Sequence, residues 1–383
     1  MQHTSLLSRL SAPPPDPIFA AADRAKKAGP NVLNATIGVV LNEEGVLELF
    51  PSIQKAIQTL HMEQTAYPPL AGLPAYQSTV RTLVFGDKEP HVAVTAVAGG
   101  TGALSALLRV AHTAGYRNVL LPVPTWANHA RVVTGMGFEL HTCPYLAEGI
   151  PSFTPLIEQL GAAKEPQLLL VQSGCHNPTG LDPSEEEWRA LGTALAGTAH
   201  TVLLDMAYQG LGNGVAEDTL PVSLLIDAGT TPLVAWSASK NHCLYGLRAG
   251  AALAYTKSEE EKQILEKHLV IATRSLYSVA PVTGQQIVAI TQLEFAKEWE
   301  HDLTELRTLL RQKREALAIA LPAYSKTILR CRGLFVQLPL GTEQVAHLTK
   351  QNTFLTPDGR INIAGIALRD IPLLGSHIAE CIK

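Results

Sequence analysis

The sequence has few of the residues that build disulfide-linked, metal-binding or nucleic-acid-binding proteins. Only five of its 383 residues are cysteine, and no two of them form a CxxC pair. We therefore expect reduced thiols, and neither disulfides nor a metal site. Charged residues make up 17% of the chain, the formal net charge is −4, and no run of Lys and Arg appears. This charge pattern argues against nucleic acid as a partner.

Long apolar runs are absent as well. The longest, such as QLLLVQ at 167–172, are far too short to cross a bilayer. The opening residues MQHTSLLSRLSAPPPDP hold one basic residue and no apolar stretch that ends in a cleavage site, so they do not resemble a signal peptide. These two absences predict a soluble cytoplasmic protein with no membrane partner.

What the chain does have is a regular alternation of short apolar runs and helical stretches. Apolar residues reach 46% of the composition, and helical stretches such as 102–115 and 184–197 separate the runs. Runs of this kind are typical of strands buried on both faces of a parallel sheet. We therefore predict an α/β fold: a three-layer large domain with a mostly parallel, seven-stranded sheet. The seven runs are HVAVTAV (91–97), NVLLPV (118–123), FELHTC (138–143), QLLLVQ (167–172), TVLLD (201–205), PLVAWS (232–237) and GAALAY (250–255).

The C-terminal part of the chain predicts a second, smaller α+β domain. Helical periodicity extends over 284–321, which indicates one long helix or a broken pair linking the two domains. The runs RGLFVQLP and GRINIAGI beyond it read as strands. We predict a large domain at 44–305 and a small domain formed by 1–43 and 306–383.

The polar and aromatic residues of interest follow the predicted strands. In open α/β sheets, ligands bind beyond the carboxyl ends of the strands. Each segment alone is a weak signal, but all of them would meet at one edge of the sheet. The segments are AGGTGAL, PTWANH, SGCHNPTG, MAYQG and ASKNHCLYGLR.

Two of these segments offer ligands for a phosphate group. Gly100 and Thr101 open a predicted helix, where free N–H groups and the helix dipole favour an anion; the alternative is an ordinary strand-to-helix turn. The guanidinium of Arg248 can donate two charge-assisted hydrogen bonds to a phosphate group; the alternative is that Arg248 is an ordinary surface arginine.

Other strand ends offer a flat surface, a carboxylate and a phenol. Asp205 is either a turn residue or a buried carboxylate that needs a cationic partner, and Tyr208 follows it. Trp126 is either a core aromatic or a face on which a ring stacks. His129 is either structural or a donor that orients Asp205. Asn177 precedes a proline and can point its amide into the cleft, unless NPTG is only a turn.

Lys240 connects these features. A lysine at an apolar strand end loses hydration, which lowers its pKa and favours the nucleophilic amine; the alternative is a lysine whose ammonium reaches the surface. Such amines form Schiff bases with carbonyl compounds. An aldehyde, a phosphate, a flat ring, a ring nitrogen and a phenolic oxygen are all features of pyridoxal phosphate, so the sequence predicts that cofactor.

The segment SASKNHCLYGLRAG at 237–250 resembles the lysine signature SxSKxxxxYxxRxG of the class I aminotransferases of fold type I. With CHNPTG, DMAYQG, PTWANH, GGTGAL and GRINIAG in the family's order, the chain is similar to the aspartate and aromatic aminotransferase group. The resemblance extends from about DPIFAAADRA to the C-terminus.

The resemblance implies roles around the cofactor. Lys240 would form the Schiff base and carry the proton between the substrate Cα and the cofactor C4′. Asp205 would pair with the pyridinium nitrogen, and Tyr208 would bond the ring oxygen, which makes these three residues the catalytic set. The remaining cofactor ligands would be Asn177 at the ring oxygen, Trp126 stacked on the ring, His129 behind Asp205, and Gly100, Thr101, Ser237 and Arg248 at the phosphate.

The resemblance also implies substrate ligands and a homodimer. Arg360 would hold the substrate α-carboxylate, with Gly38, Asn177 and Trp126 beside it. Arg274 would reach across the dimer to a distal carboxylate, and Tyr67 would reach the phosphate of the neighbouring subunit.

The implied reaction is ping-pong transamination between amino acids and 2-oxo acids, with glutamate and 2-oxoglutarate as one pair. An apolar lining near the distal arginine would lower the cost of burying an aromatic side chain, so we expect Tyr or Phe to be accepted alongside aspartate. A β-eliminating lyase of the same fold and a non-catalytic cofactor-binding regulator stay open as alternatives. The residues expected to form this lining are Val40, Leu41, Ala66 and Val279.

Overall fold

A computed structural model of the chain describes residues 10–12, 15–60, 67–86 and 91–382. Helices and strands alternate through most of this range. The strands are β1 (Leu33–Asn34), β2 (Val92–Ala98), β3 (Asn118–Val123), β4 (Glu139–Pro144), β5 (Leu146–Ala147), β6 (Ile150–Pro151), β7 (Gln167–Gln172), β8 (Thr201–Met206), β9 (Leu233–Ser237), β10 (Ala249–Tyr255), β11 (Phe335–Gln337), β12 (Thr353–Phe354) and β13 (Arg360–Asn362). The α-helices are α1 (Pro17–Lys27), α2 (Pro51–Gln58), α3 (Pro74–Phe85), α4 (Gly99–Thr113), α5 (Asn128–Gly135), α6 (Thr154–Ala162), α7 (Glu185–Leu195), α8 (Leu220–Asp227), α9 (Glu259–Tyr277), α10 (Val282–Glu294), α11 (Ala296–Ala320), α12 (Ser325–Arg330), α13 (Thr342–Lys350) and α14 (Ile371–Cys381). Short 3₁₀ turns are found at Glu217–Thr219, Pro322–Tyr324, Ile363–Gly365 and Leu368–Asp370.

A seven-stranded sheet forms the centre of the molecule, in the order β2-β10-β9-β8-β7-β3-β4. From β9 to β4 every neighbouring pair is parallel, whereas β10 runs antiparallel to both β2 and β9. The predicted α/β fold with a mostly parallel, seven-stranded sheet is therefore confirmed. Each of the seven apolar runs forms one of its strands.

The sheet is buried on both faces, as its unbroken apolar strands require. Along β7, Leu168 and Leu170 pack into one hydrophobic core, and Leu169 and Val171 pack into the other. Helices α4 and α9 cover the first face, and α3 and α10 lie on the opposite side. This arrangement leaves the strand ends as the accessible edge of the sheet.

The C-terminal region joins the N-terminal segment through strand pairing. Strand β1 pairs in parallel with β12, and β11 pairs antiparallel with β13. The long helical stretch predicted from the sequence is a broken pair, since α10 and α11 are separated at Phe295. The division into a large domain at 44–305 and a small domain at 1–43 and 306–383 stays a prediction. In the described part of the chain, no helix combines the length and apolar character needed to cross a membrane.

Candidate active site

A cavity of about 160 Å³ opens at the carboxyl ends of the parallel strands. Because successive strands β3, β7, β8 and β9 end at this edge, residues distant in sequence meet there. Most of the predicted cofactor ligands line it. The lining residues are Gly100, Thr101, Leu104, Trp126, Gln172, Asn177, Asp205, Ala207, Tyr208, Ser237, Ser239, Lys240 and Arg248.

Lys240 lies three residues after the end of β9 and projects between two phenol rings. Its Nζ is 5.9 Å from the ring centroid of Tyr208 and 5.7 Å from that of Tyr245. Burial lowers the pKa of Lys240 to about 8, because the charged ammonium loses hydration. The Asp205 carboxylate opposes this shift, and nearby guanidinium groups add to it. The cavity therefore holds an amine that is far more readily deprotonated than an ordinary lysine.

Asp205 is the penultimate residue of β8, and a chain of hydrogen bonds orients it. The side-chain amide of Gln172 donates to Thr125 Oγ1 at 3.1 Å. Thr125 Oγ1 lies 2.8 Å from Nδ1 of the fully buried His129, whose Nε2 lies 2.9 Å from Asp205 Oδ2. A carboxylate oxygen only accepts, so we assign the His129 proton to Nε2, with Thr125 donating to Nδ1. This chain fixes one oxygen of Asp205 and leaves the carboxylate facing the cavity.

Tyr208 and Asn177 form a second hydrogen-bonded group at the cavity wall. Asn177 Nδ2 donates to the Tyr208 hydroxyl at 3.3 Å, and Asn177 Oδ1 accepts from Arg360 Nη1 at 3.0 Å. Burial, together with the Asp205 carboxylate, raises the pKa of Tyr208 well above its usual value. Tyr208 therefore stays a neutral phenol, able both to donate and to accept a hydrogen bond.

Arg360 enters from β13 and has unused hydrogen-bonding capacity. Its Nη2 donates to the carbonyl of Thr36, while its Nε is buried with no partner among the described residues. The guanidinium lies over the ring of Phe335, with its carbon 4.6 Å from the ring centroid. A buried guanidinium with a free donor is suited to a carboxylate. Gly38 lies next to the same ring, since a Cβ built there would be 2.7 Å from Phe335 Cζ.

The opposite end of the cavity is a cradle for an anion. Helix α4 begins here, and Gly99 (φ +71°) leaves room for Arg248: a Cβ at Gly99 would lie 2.4 Å from Arg248 Nη2. Arg248 Nη1 donates to Ser239 Oγ at 3.4 Å, and Ser237 Oγ lies 2.9 Å from Ser239 Oγ. Hydroxyls, a guanidinium and the N-terminus of a 15-residue helix together supply the donors and positive potential that bind a phosphate.

The ring-stacking candidate lies between these two ends. Trp126 is half-buried at the cavity wall and meets His129 edge to face, with ring centroids 5.3 Å apart. The contact with the fully buried imidazole of His129 keeps the indole in place at the cavity wall.

Five predicted site residues are not among those that line this cavity. His129, Arg360 and Gly38 lie next to it, through their contacts with Asp205, Asn177 and Phe335, whereas Tyr67 and Arg274 are on the surface. Tyr67 is 88% exposed, and Arg274 is exposed near the end of α9. Within one chain, neither contributes to the lining.

The residues expected to form an apolar lining are also elsewhere in the single chain. Val40 is buried and its N–H donates to the Tyr245 hydroxyl at 2.9 Å. Leu41 and Val279 are partly buried, and neither belongs to the cavity wall. Ala66 lies outside the described residues.

Sequence reasoning assigned no role to several residues that the structure brings into the site, among them Ser239, Tyr245 and Gln172. Ser239 and Tyr245 stand inside the lysine segment 237–250, so their position was a usable signal. Gln172 is the last residue of β7, and its side-chain oxygen Oε1 also accepts from the backbone N–H of Asn177 at 2.9 Å. Its location at a strand end was the only signal that the sequence offered.

Comparisons with known proteins agree with this geometry. The family model "Aminotransferase class I and II" matches residues 30–376. The chain is 32% identical to aspartate aminotransferase 1 of Medicago sativa, over 99% of this chain and 94% of that protein. It is 30% identical to the aromatic-amino-acid aminotransferase of Paracoccus denitrificans, over 98% and 99% of the two chains.

A solved structure has the same fold over its whole length. The aromatic-amino-acid aminotransferase of Burkholderia pseudomallei, covalently bound to pyridoxal phosphate, superposes with a TM-score of 0.93 at 28% identity, covering 99% of this chain and 100% of that one. The resemblance stated from the sequence is therefore confirmed: the chain belongs to the class I and II aminotransferase family and is an amino-acid aminotransferase.

Proposed function

We propose that this enzyme transfers amino groups between aspartate or the aromatic amino acids Tyr and Phe and 2-oxoglutarate, with pyridoxal phosphate as its cofactor. The proposal rests on the position of Lys240 in the cavity. Its amine, with a pKa of about 8, lines the same cavity as the anion cradle at Arg248 and the carboxylate of Asp205. Relatives named for aspartate and for aromatic amino acids support both parts of the substrate range.

The residues present fit pyridoxal phosphate at each of its polar groups. Gly100, Thr101, Ser237 and Arg248 would hold the phosphate, and Asp205 would face the ring nitrogen. The Gly99 position supports this fit, because any side chain there would displace the Arg248 guanidinium from the cradle. When bound, the cofactor supplies an aldehyde that condenses with amines and a ring that accepts electrons.

Three protein groups then determine the chemistry. Lys240 accepts and returns a proton at the substrate Cα, because its lowered pKa keeps the neutral amine accessible near neutral pH. Arg360 binds the α-carboxylate and so orients the Cα–H bond toward Lys240. Asn177, bonded to both Arg360 and Tyr208, couples the position of the substrate to the position of the phenol.

The substrate range rests on Arg274 and on the apolar residues Val40, Leu41, Ala66 and Val279. A cationic side chain would pair with the distal carboxylate of aspartate or glutamate, and apolar neighbours would favour an aromatic ring.

A panel of amino donors with 2-oxoglutarate tests the range. Turnover of aspartate together with Tyr or Phe supports the proposal, and turnover of aspartate alone refutes the dual range. Release of pyruvate and ammonia from cystathionine without transamination would instead indicate a β-eliminating lyase.

We further propose that the enzyme works as a homodimer with shared active sites. Exposed apolar side chains lie near the exposed Arg274 and Tyr67, among them Ile271 and Leu276 on α9 and Leu70 after Tyr67. Such a surface is suited to burial against a second copy. A cytoplasmic location belongs to the same proposal, supported by five cysteines that form no disulfide.

Subunit mixing tests the shared site. Lys240→Ala and Arg274→Ala homodimers should each lack efficient turnover of aspartate. A mixture refolded together should regain it, because one site per heterodimer then combines a native Lys240 with a native Arg274. Absence of recovery in a mixture that light scattering shows to be dimeric would count against a shared site.

A further inference from the structure

A second polar cavity, of about 390 Å³, lies away from the active site. It is formed by one side of α11, the end of α12 and the loop after β8, and it shares no lining residue with the active-site cavity. Leu329 contributes the one apolar side chain among the described lining residues. The charged lining residues are Arg307, Arg311, Arg314, Arg332 and Glu315.

The four guanidinium groups are poorly compensated by carboxylates. Within the described ranges, Arg311 has Glu315 at 3.9 Å, and Arg307, Arg314 and Arg332 have no carboxylate oxygen within 4 Å. Arg307 instead donates to the Gly210 carbonyl, and Arg332 donates to backbone carbonyls beside it. The cavity therefore carries an excess of positive charge.

Burial of Arg314 makes the excess positive charge unfavourable for the stability of the protein. Its residue surface is only 6% exposed, and its Nη1 donates to the carbonyl of Gly333 at 3.0 Å. Burial lowers the pKa of Arg314, and the positive charge of Arg332 adds to the effect. A buried cation without a counter-charge is destabilising, and a bound anion would remove that cost.

Two partly buried carboxylates, Asp182 and Asp218, accept hydrogen bonds from backbone N–H groups. Asp182 accepts from the N–H groups of Cys175 and His176 at 2.9 and 3.0 Å; burial raises its pKa to about 6, and the positive charge of Arg332 opposes that shift. Asp218 lies behind the loop after β8 and accepts from the backbone N–H groups of Gly210, Gly212 and Asn213 at 2.8–3.0 Å. Both carboxylates are therefore engaged by backbone donors, and in the described part of the chain the only carboxylate within 4 Å of one of the four guanidinium groups is that of Glu315, at Arg311.

We propose that this cavity binds a small anion that carries phosphate groups, at a site separate from the active site. A guanidinium group can donate two parallel hydrogen bonds to a pair of phosphate oxygens. The hydroxyl of Thr308, on the same wall, is a further potential donor, whereas that of Thr304 already donates to the carbonyl of Glu300. The volume is that of a small-molecule pocket. Four arginines against one glutamate favour a ligand with several negative charges, for which pyrophosphate is a suitable probe.

Calorimetric titration of the cofactor-loaded enzyme with pyrophosphate at low ionic strength tests the site. We expect saturable binding of one ion per chain, weakened by added salt. Loading the enzyme with cofactor occupies the phosphate cradle at Arg248. An Arg360→Lys variant tests whether the ion sits in the substrate site, since its affinity for pyrophosphate should match that of the unchanged enzyme.

Variants that remove one charge from the cavity should change the Kd for pyrophosphate in opposite directions, depending on the sign of the charge removed. Arg311→Gln should raise Kd about 3- to 10-fold, and Arg332→Gln should raise it at least 10-fold. Glu315→Gln should lower Kd about 2- to 3-fold, because it removes the one opposing charge. Arg330→Gln is the matched control, since this exposed arginine is two residues from Arg332 and does not line the cavity; its Kd should stay within about twofold.

Several results would overturn the proposal. They are an absence of binding, an equal loss in Arg330→Gln and Arg311→Gln, and a loss in Arg360→Lys. Circular dichroism would reveal whether Arg332→Gln fails to fold. Because Arg311 is exposed and its substitution leaves the core intact, the Kd of Arg311→Gln for pyrophosphate tests the proposal in either case.

Discussion

Lys240 should destabilise the cofactor-free fold, and its replacement by methionine should stabilise it. Methionine keeps an unbranched chain of similar length in the space between Tyr208 and Tyr245 and carries no charge. Burial lowers the pKa of Lys240 from 10.5 to about 8. The folded state therefore binds the proton less tightly than the unfolded chain does.

The lowered pKa of Lys240 sets the size of the expected stability difference and the pH range in which it appears. At about 1.4 kcal/mol per pKa unit, the folded protein loses about 3 kcal/mol when Lys240 is protonated in both states, that is below about pH 8. Loss of the contacts with the two phenol rings offsets about 0.5–1 kcal/mol of the gain in the variant. We expect Lys240→Met to be about 2–2.5 kcal/mol more stable at pH 7. Between about pH 8 and 10.5 the stability of the unchanged protein rises, so the advantage of the variant shrinks and vanishes above the upper value.

Urea unfolding of the cofactor-free proteins at pH 7 and pH 10, followed by circular dichroism, measures the difference. Lys326→Met is the matched control, because Lys326 is exposed on α12 and its replacement should change stability by less than about 0.5 kcal/mol at either pH. A destabilised Lys240→Met protein, or a difference that does not depend on pH, would refute the reasoning.

Three further substitutions test the site. Asp205→Asn, which keeps the shape and removes the charge that faces the cavity, should lower kcat about 10²- to 10³-fold while cofactor absorbance is retained; a loss of cofactor instead would point to a purely binding role. Arg360→Lys should raise KM for every amino acid at least about 10-fold in steady-state assays, because an ammonium cannot form the paired bonds of a guanidinium, and an effect confined to dicarboxylates would contradict its position. Gly38→Ala should cost about 1–3 kcal/mol in urea unfolding, because its Cβ would lie 2.7 Å from Phe335 Cζ; an unchanged midpoint would mean that the ring moves freely.

The strands of the sheet were predictable because their signal is local. The runs NVLLPV and QLLLVQ coincide with β3 and β7, since a strand buried on both faces must be apolar throughout. The helical stretch 284–321 was predicted as one helix or a broken pair, and the break falls at Phe295. The antiparallel direction of β10 was not predictable, because an apolar run looks the same in either direction.

The candidate site was partly predictable from position along the chain. Lys240 and Asn177 follow strand ends and Asp205 is the penultimate residue of a strand. The rule that ligands bind at the carboxyl ends of strands was sufficient to group them. Nothing local identified Gln172 as the start of the hydrogen-bond chain to His129 and Asp205, since a glutamine that ends a strand has many possible partners.

The sequence by itself determined the strands, the placement of chemistry at their ends and the family, because each of these depends on residues close together in the chain or on a motif with fixed spacing. Only the tertiary structure decided which distant groups touch. Arg360 reaches the carbonyl of Thr36 across more than three hundred residues, and arginines of α11 meet Arg332 in an uncompensated cavity. These contacts depend on how helices and strands pack against one another, and packing is a property of the whole core, which no single segment of sequence contains.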